Sequence, residues 1–243
     1  MVARPPQLAA RVTRLERFRK YRDERDPDKQ EKIRAEIISD MVTPQSANRK
    51  MQMGTAFHTI LANPTSYLLP SDDGGTYVCD GFIFPGYVVQ DSLRSIERQG
   101  TFEIPGYKIY SVGDTDLIVT GTCDYQFGRE LQEFKTRWFE GKEWGVWDDN
   151  FLRETYEASY QHRLYMDIFG ADTVRYVIFA MRDDYPVKLV RIKSDIVCER
   201  YAQMEDDIQA LVADFVEFVK HNAMEDFCRP GKRELDFMNA FPF

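Results

Sequence analysis

The chain has 243 residues, 43% of them hydrophobic, enough for one large domain with a real core. Its formal charge of −8 argues against a sequence-independent coat on nucleic acid, which would be basic, without excluding an enzyme that acts on nucleic acid. No stretch approaches the ~18 to 20 continuous apolar residues of a membrane helix, and the start "MVARPPQLAARV" has no long apolar segment or cleavage site, so a soluble cytoplasmic protein with no membrane partner is expected.

Residues 7–38 read as charged helix, kinked near Asp26-Pro27 because proline disfavours helical backbone at the residue before it. Apolar positions are sparse there, and the expectation is an appendage. The division expected is thus an N-terminal extension over 1–45, a main domain over 46–222 and a tail over 223–243. Residues 11–25 carry seven arginines and lysines against three acids. Such a run is either a solvated helix face or a phosphate-tracking one, with Arg17, Arg19, Lys20, Arg49 and Lys50 as candidate DNA contacts.

A helix is predicted from about Ser46 to Leu61, stopped by Asn63-Pro64, followed by a loop at Gly74-Gly75. A short extended piece and a helix of about Tyr87 to Arg98 come next. Strands follow at Thr101–Ile104, Tyr107–Val112, Asp116–Cys123 and Leu131–Arg137, punctuated by Pro105-Gly106 and Gly113-Asp114. Trp138, Trp144 and Trp147 flank a glycine-containing loop. One helix is predicted from Phe151 to Phe169, ended by Gly170. "TVRYVIFAM" and "PVKLVRI" read as two more strands. From Val197 through Tyr201, Met204, Ile208, Leu211, Phe215 and Phe218 the apolar spacing alternates four and three, predicting one long closing helix that covers a sheet more readily than it zips to a partner.

The stretch "CDYQFGRELQEFKTR", 123–137, places Asp124 in an apolar run, turns at Phe127-Gly128 and returns through Glu133, Phe134 and Lys135. Strand side chains alternate faces, so Glu133 and Lys135 share one face roughly 6 to 7 Å apart while Phe134 enters the core. Burying such charges without partners is costly, and a divalent cation would supply one. Two carboxylates, the Phe134 main-chain carbonyl and waters suit Mg²⁺, or Mn²⁺ in its place. The lysine would then orient or help deprotonate an attacking water, as in metal-assisted phosphodiester hydrolysis. Taken alone, a Glu-Lys pair on a strand is as ordinary as any surface pair.

"GTAFH" sets Gly54 and His58 four apart on one helical face. Gly54 admits a close backbone; His58 is either a packed histidine or a nitrogen ligand. "QHRLY" does the same for Gln161 and Tyr165, whose polar ends suit phosphate or backbone contacts, the plain alternative being a solvated glutamine and a core tyrosine.

In this order the motifs Gly54 to His58, Gly121 to Asp124, Glu133 to Lys135 and Gln161 to Tyr165 resemble the PD-(D/E)XK nuclease superfamily, in its RecB-like and phage-recombination exonuclease branch (exonuclease VIII or lambda-exonuclease type). "MGTAFHTILANP", "LQEFKT" and "DYPVKLVRI" are similar to the exonuclease VIII type, and the resemblance covers about residues 50–221. It implies a restriction-endonuclease-like α/β core, a mixed central sheet flanked by helices, with metal at the sheet edge. Carried over by position, Asp124, Glu133 and the Phe134 carbonyl would ligate the metal, Lys135 would be the catalytic lysine, His58 an accessory ligand, and Gln161 and Tyr165 supports. Glu103 matches a further acid of some members, an exposed edge-strand glutamate being the alternative.

The activity implied is a Mg²⁺-dependent DNA exonuclease trimming duplex ends in phage-type recombination or DNA processing, in the host cytoplasm if phage-encoded. Its partners would be DNA, a single-strand annealing protein and further copies in a homo-oligomer. Alternatives are a structure-specific endonuclease of the superfamily and a non-cleaving nucleic-acid-binding relative. Two departures matter. Iron-sulfur relatives have one cysteine before these motifs and three after, whereas Cys79 and Cys123 lie between them, so no iron-sulfur cluster is expected and all four cysteines read as reduced thiols. No P-loop is present, so ATP-driven unwinding would come from another protein.

Overall fold

A computed structural model describes residues 7–43, 46–69, 75–96, 99–139 and 149–240. Features predicted at Gly74, residues 97–98, Trp144 and Trp147 lie outside these. The chain opens with strand β1 (Leu8–Arg11) running directly into helix α1 (Val12–Asp23), then α2 (Pro27–Val42) and α3 (Arg49–Ala62). Asp26 caps α2 by accepting from the Asp28 and Lys29 N–H groups, with Pro27 in the first turn where its missing N–H is harmless. Asn48 caps α3 through the Met51 N–H at 2.9 Å.

A small antiparallel sheet follows, β2 (Leu68–Leu69), β3 (Thr76–Cys79) and β4 (Phe82–Pro85), and then α4 (Gly86–Arg94). The remaining elements are β5 (Thr101–Val112), β6 (Thr115–Phe127), β7 (Glu130–Phe139), α5 (Asp149–Glu157), α6 (Gln161–Phe169), β8 (Thr173–Arg182), β9 (Lys188–Glu199), α7 (Met204–His221) and α8 (Lys232–Ala240). The central sheet runs β1-β6-β7-β8-β9, with β5 on β6. Pairing is parallel for β1 with β6 and β7 with β8, and antiparallel elsewhere. This is a mixed α/β fold with helices on both faces.

The two faces carry separate cores. Leu15 and Phe18 of α1, Leu164 and Met166 of α6, and Ile208, Leu211 and Phe215 of α7 pack on Leu117, Val119, Leu131 and Ile178. Met53, Phe57 and Ile60 of α3, Phe84 and Val88 pack on Phe134, Val177 and Phe179 of the opposite face. The α7 stripe therefore covers the sheet.

The register of β6 positions the site. The strand pairs with β5 along one edge from Thr101↔Gln126 to Val112↔Thr115, with the rung at Glu103 and Asp124 missing. The other edge is shared: β1 takes Leu117 to Thr120, and β7 takes only Tyr125 to Phe127 before the two strands part. Gly121 to Asp124 thus lie in a fork, between the end of β1 and the point where β7 leaves.

Several expectations change. Residues 8–42 are not an appendage: β1 is a sheet strand, and Leu8, Val12, Leu15, Phe18 and Ile37 are buried in the main core. A four-residue "LAAR" strand has no alternation long enough to show its period, and its partner lies about a hundred residues away. The 223–240 segment also packs, with Met224 and Cys228 buried and the Cys228 thiol 3.7 Å from Met41 Sδ. Pro105-Gly106 does not interrupt β5, since an edge strand tolerates a proline that needs no ladder partner on its free side. The helix expected over 151–169 is two helices, because Ser159 and Glu16 supply acceptors that restart it: Ser159 Oγ accepts from Gln161 N–H (3.1 Å) and Glu16 Oε2 from Tyr160 N–H (2.7 Å). Val197 belongs to β9, paired with Arg175, and α7 begins only at Met204. As predicted, α6 ends at Gly170 in left-handed backbone, φ 63°.

Gly121 is required by packing. A Cβ there would lie 2.5 Å from Tyr165 Cε1 and 3.0 Å from Val12 Cγ2. Gly121→Ala should cost about 1–3 kcal/mol by overpacking, measured by urea unfolding. Tyr165→Phe keeps the ring and should give no relief in the double variant, whereas Tyr165→Leu should recover part of the loss.

Candidate active site

Asp124 and Glu133 face each other just past the last rung joining β6 to β7. Asp124 bridges the opening: its Oδ2 accepts from the Phe134 N–H at 2.7 Å, and its Oδ1 lies 3.5 Å from His58 Nδ1 on α3. Glu133 points to the α6 side, where its Oε2 accepts from Lys135 Nζ (3.0 Å) and Gln161 Nε2 (2.9 Å). The sheet alternation expected for Glu133, Phe134 and Lys135 holds, with the Phe134 ring in the α3 core.

Each outer residue is positioned by a local device. A Cβ on Gly54 would lie 2.7 Å from Thr136 Oγ1, so glycine lets α3 sit close to β7 and deliver His58, one turn later, to Asp124. Gln161 is the first residue of α6, and the Ser159 and Glu16 acceptors fix where that helix starts. Tyr165, one turn further, packs its ring edge on Gly121 and is 4% exposed.

The charges are arranged unevenly. Burial raises the Glu133 carboxyl, and the negative Asp124 raises it further against the pull of Lys135, to about 8. Burial works against Asp124 as well, but His58, Lys135 and the Phe134 N–H together hold it below the usual carboxylate range. Burial alone would push Lys135 down; Glu133 and Asp124 keep it above the ordinary lysine value, so it is an ammonium. Burial and the two carboxylates hold the Tyr165 phenol protonated. His162, beside Gln161, is pushed down to about 3 by burial and by Arg163, and its Nδ1 lies 3.3 Å from the Tyr176 hydroxyl, a neutral packed histidine.

Glu103 sits opposite Asp124, between the rungs Phe102↔Tyr125 and Ile104↔Cys123, with its own backbone at φ 52°. Left-handed backbone in a non-glycine strand residue is strained and turns the side chain out of the ladder. It lines a cavity of about 390 Å³ with Thr55, His58, Thr59 and Asn63. Partial burial and the Asp124 charge raise its carboxyl.

Among the described residues no three His, Cys, Asp or Glu side chains are grouped so as to hold a metal ion by themselves. The donor set nonetheless fits a hard cation that keeps water. Glu133 Oε1 is buried with no hydrogen-bond partner, and leaving such an atom unsatisfied costs about 1–3 kcal/mol. An ion held by Asp124 and Glu133, with main-chain carbonyl and water completing the shell, would satisfy it. The cysteines are free and buried, and Cys123, on β6 beside Asp124, donates to the Tyr125 carbonyl.

The basic residues are placed differently from the carboxylates. Arg17 is paired with Asp40; Arg19 with Glu16 (2.9 Å) and Asp23 (3.4 Å); Arg49 with Asp183 (3.2 Å), over the Phe82 ring. Lys20 and Lys50 are exposed. Sequence reasoning missed Glu16, whose role in starting α6 depends on a contact 144 residues away that leaves no local signal.

No family model matches the chain, and no curated protein matches it. Among solved structures, SSO0001 is similar with a TM-score of 0.44 at 14% identity, covering 89% of this chain and 79% of that one. The alkaline exonuclease LHK-Exo of Laribacter hongkongensis has a TM-score of 0.38 at 16% identity, covering 88% and 93%. An exonuclease by provisional assignment from Eubacterium rectale has 0.46 at 11% identity, covering 90% and 83%. Likenesses at this level carry no residue role or activity over to this chain. No helix among the described residues is long and apolar enough to cross a membrane.

Glu133 gives a pH test that needs no substrate. Its folded value lies above the ~4.3 of a free glutamate, so its contribution to stability is full below about pH 4 and is lost as pH rises through about 8. In metal-free buffer, the melting temperature of the wild type should fall relative to Glu133→Gln between pH 6 and 9. A fall of about 2–4 °C, the effect of ~1 kcal/mol in a chain this size, is the least expected. Millimolar Mg²⁺ at pH 9 should restore the wild type and leave Glu133→Gln unchanged.

Proposed function

We propose that the chain is a metal-dependent deoxyribonuclease of the PD-(D/E)XK type, hydrolysing phosphodiester bonds at duplex DNA ends. The observation that carries this reading is the fork itself, with Asp124 and Glu133 across it, a buried unpartnered Glu133 oxygen, and the Lys135 ammonium 3.0 Å from the other. A protein that only bound nucleic acid would have no use for a buried carboxylate set beside a second, partly buried one at an opening in its sheet.

Asp124, Glu133 and the Phe134 carbonyl would hold a Mg²⁺ or Mn²⁺ ion, with His58 steadying Asp124 and Glu103 as a further acid at the same opening. The ion would supply a Lewis acid for a phosphoryl oxygen. As an ammonium, Lys135 is a donor rather than a base: it orients the attacking water and stabilises negative charge growing on the phosphate. Gln161 fixes the Glu133 carboxylate, and Tyr165, held protonated, packs on Gly121 beneath the fork. Trimming of duplex ends would leave single-stranded tails, the substrate class of an annealing protein in recombination or DNA processing.

The test is hydrolysis of linear and covalently closed duplex DNA with and without Mg²⁺. Asp124→Ala, Glu133→Ala and Lys135→Ala should each lower Mg²⁺-dependent cleavage of linear DNA by at least about a hundredfold, the scale for removing one charge-stabilising group. Near-normal turnover in any folded variant would overturn the assignment. Cleavage of the closed circle would make the enzyme an endonuclease.

A further inference from the structure

A trough of about 600 Å³ lies between α1, the end of α2, the start of α3 and the segment 227–234. Arg11, Arg14 and Arg17 follow one another at three-residue spacing and all line it, with Arg229 on the far wall. Arg17 is held by Asp40, and Arg229 by Asp226 at 2.7 Å. Arg11 and Arg14 have no carboxylate partner among the described residues. Of the two acids in the wall, Asp40 is the partner of Arg17 and Glu234 accepts the Gly231 N–H at 3.0 Å. In a protein of net charge −8 the trough is thus a local excess of positive charge. Two apolar side chains stand exposed beside these arginines, Phe227 at 51% and Met51 at 59%. The trough continues into a smaller cavity of about 220 Å³ that shares Arg11, Thr13 and Glu234 and ends on Gly121, Thr122 and Tyr165. Thr122 is two residues from Asp124 on β6, so the inner end of the trough lies beside the fork.

We propose that this trough carries single-stranded nucleic acid between the fork and the outer surface, with Arg11 and Arg14 on phosphates and Phe227 stacked on a base. The inference rests on the nuclease reading for its purpose, and on charge and shape for its place. A positively charged groove with an exposed aromatic ring is how unpaired strands are held without regard to sequence. A duplex hides its base faces and would leave Phe227 idle. The arginines chosen from sequence spacing alone, Arg17 and Arg19, are occupied by acids; the two nearer the fork are not.

Point variants are needed, because deleting the N-terminal residues would also remove β1 and the buried face of α1. Binding of a fluorescent oligo(dT) to the full chain in EDTA is followed across a salt series, with melting curves to confirm folding. Arg11→Gln/Arg14→Gln should weaken binding by about tenfold or more and lower the log-log salt slope by about 1.4, two phosphate contacts at ~0.7 each on a single strand. Arg11→Lys/Arg14→Lys should restore the slope. Phe227→Ala should weaken binding by about fivefold to a hundredfold with the slope unchanged, as loss of one stacked base would. Wild-type affinity and slope in both the arginine-to-glutamine and Phe227→Ala variants would overturn the proposal, as would equal displacement of the oligonucleotide by a poly-glutamate peptide. Hydrolysis in Mg²⁺ on the same preparations separates the two readings. Binding as described without hydrolysis keeps the trough and removes the nuclease; hydrolysis with unchanged binding in the variants does the reverse.

Discussion

One edge of β6 must serve two neighbours, and the site follows from that. β5 occupies the other edge from Thr115 to Gln126 but for the rung at Asp124, so β1 and β7 divide what is left, and neither reaches Gly121 to Asp124. Backbone in the middle of a sheet normally has its hydrogen bonds satisfied on both sides. Here Asp124 completes part of the missing ladder with its side chain, accepting from the Phe134 N–H. Its carboxylate is thereby fixed within the sheet rather than left on a mobile loop, the rigidity that a charge-stabilising site needs.

The two carboxylates are then driven apart in their proton affinity by the surroundings. Asp124 keeps its charge because His58, Lys135 and a backbone N–H favour it; Glu133, fully enclosed and facing a second negative charge, resists ionising. Without a cation the pair is a liability to the fold. A divalent ion would reverse the sign of the problem, since it would make the ionised form of both residues the favourable one. Gly54 and Gly121 serve the same end from opposite faces of the sheet, one letting α3 bring His58 close, the other letting the Tyr165 ring lie on the strand.

Much of this was legible in the sequence because the chemistry-bearing residues sit at short, regular spacings on single elements. The 3.6-residue turn joins Gly54 to His58 and Gln161 to Tyr165, and the two-residue strand period joins Glu133 to Lys135. What spacing could not show was anything set by a distant contact. β1 is too short to display a period, the break between α5 and α6 depends on Glu16, and the positive φ of Glu103, opposite Asp124, leaves no mark on the strand pattern. The basic run shows the same limit. Counting arginines could not tell which would be neutralised by acids brought in by the fold, and the pairing of Arg17 with Asp40 and Arg19 with Glu16 shifts the free charge toward Arg11 and Arg14.

The central claim is that the fork between β6 and β7 is a metal centre, and a crystal structure with Mn²⁺, read from its anomalous signal, tests it most directly. The account predicts one ion at the fork, roughly 2.0–2.2 Å from an Asp124 oxygen and from the now unpartnered Glu133 Oε1, with waters completing six oxygen ligands. An ion bound only elsewhere on the chain, or a fork that stays empty at saturating Mn²⁺ with Glu133 Oε1 still without a partner, would contradict it.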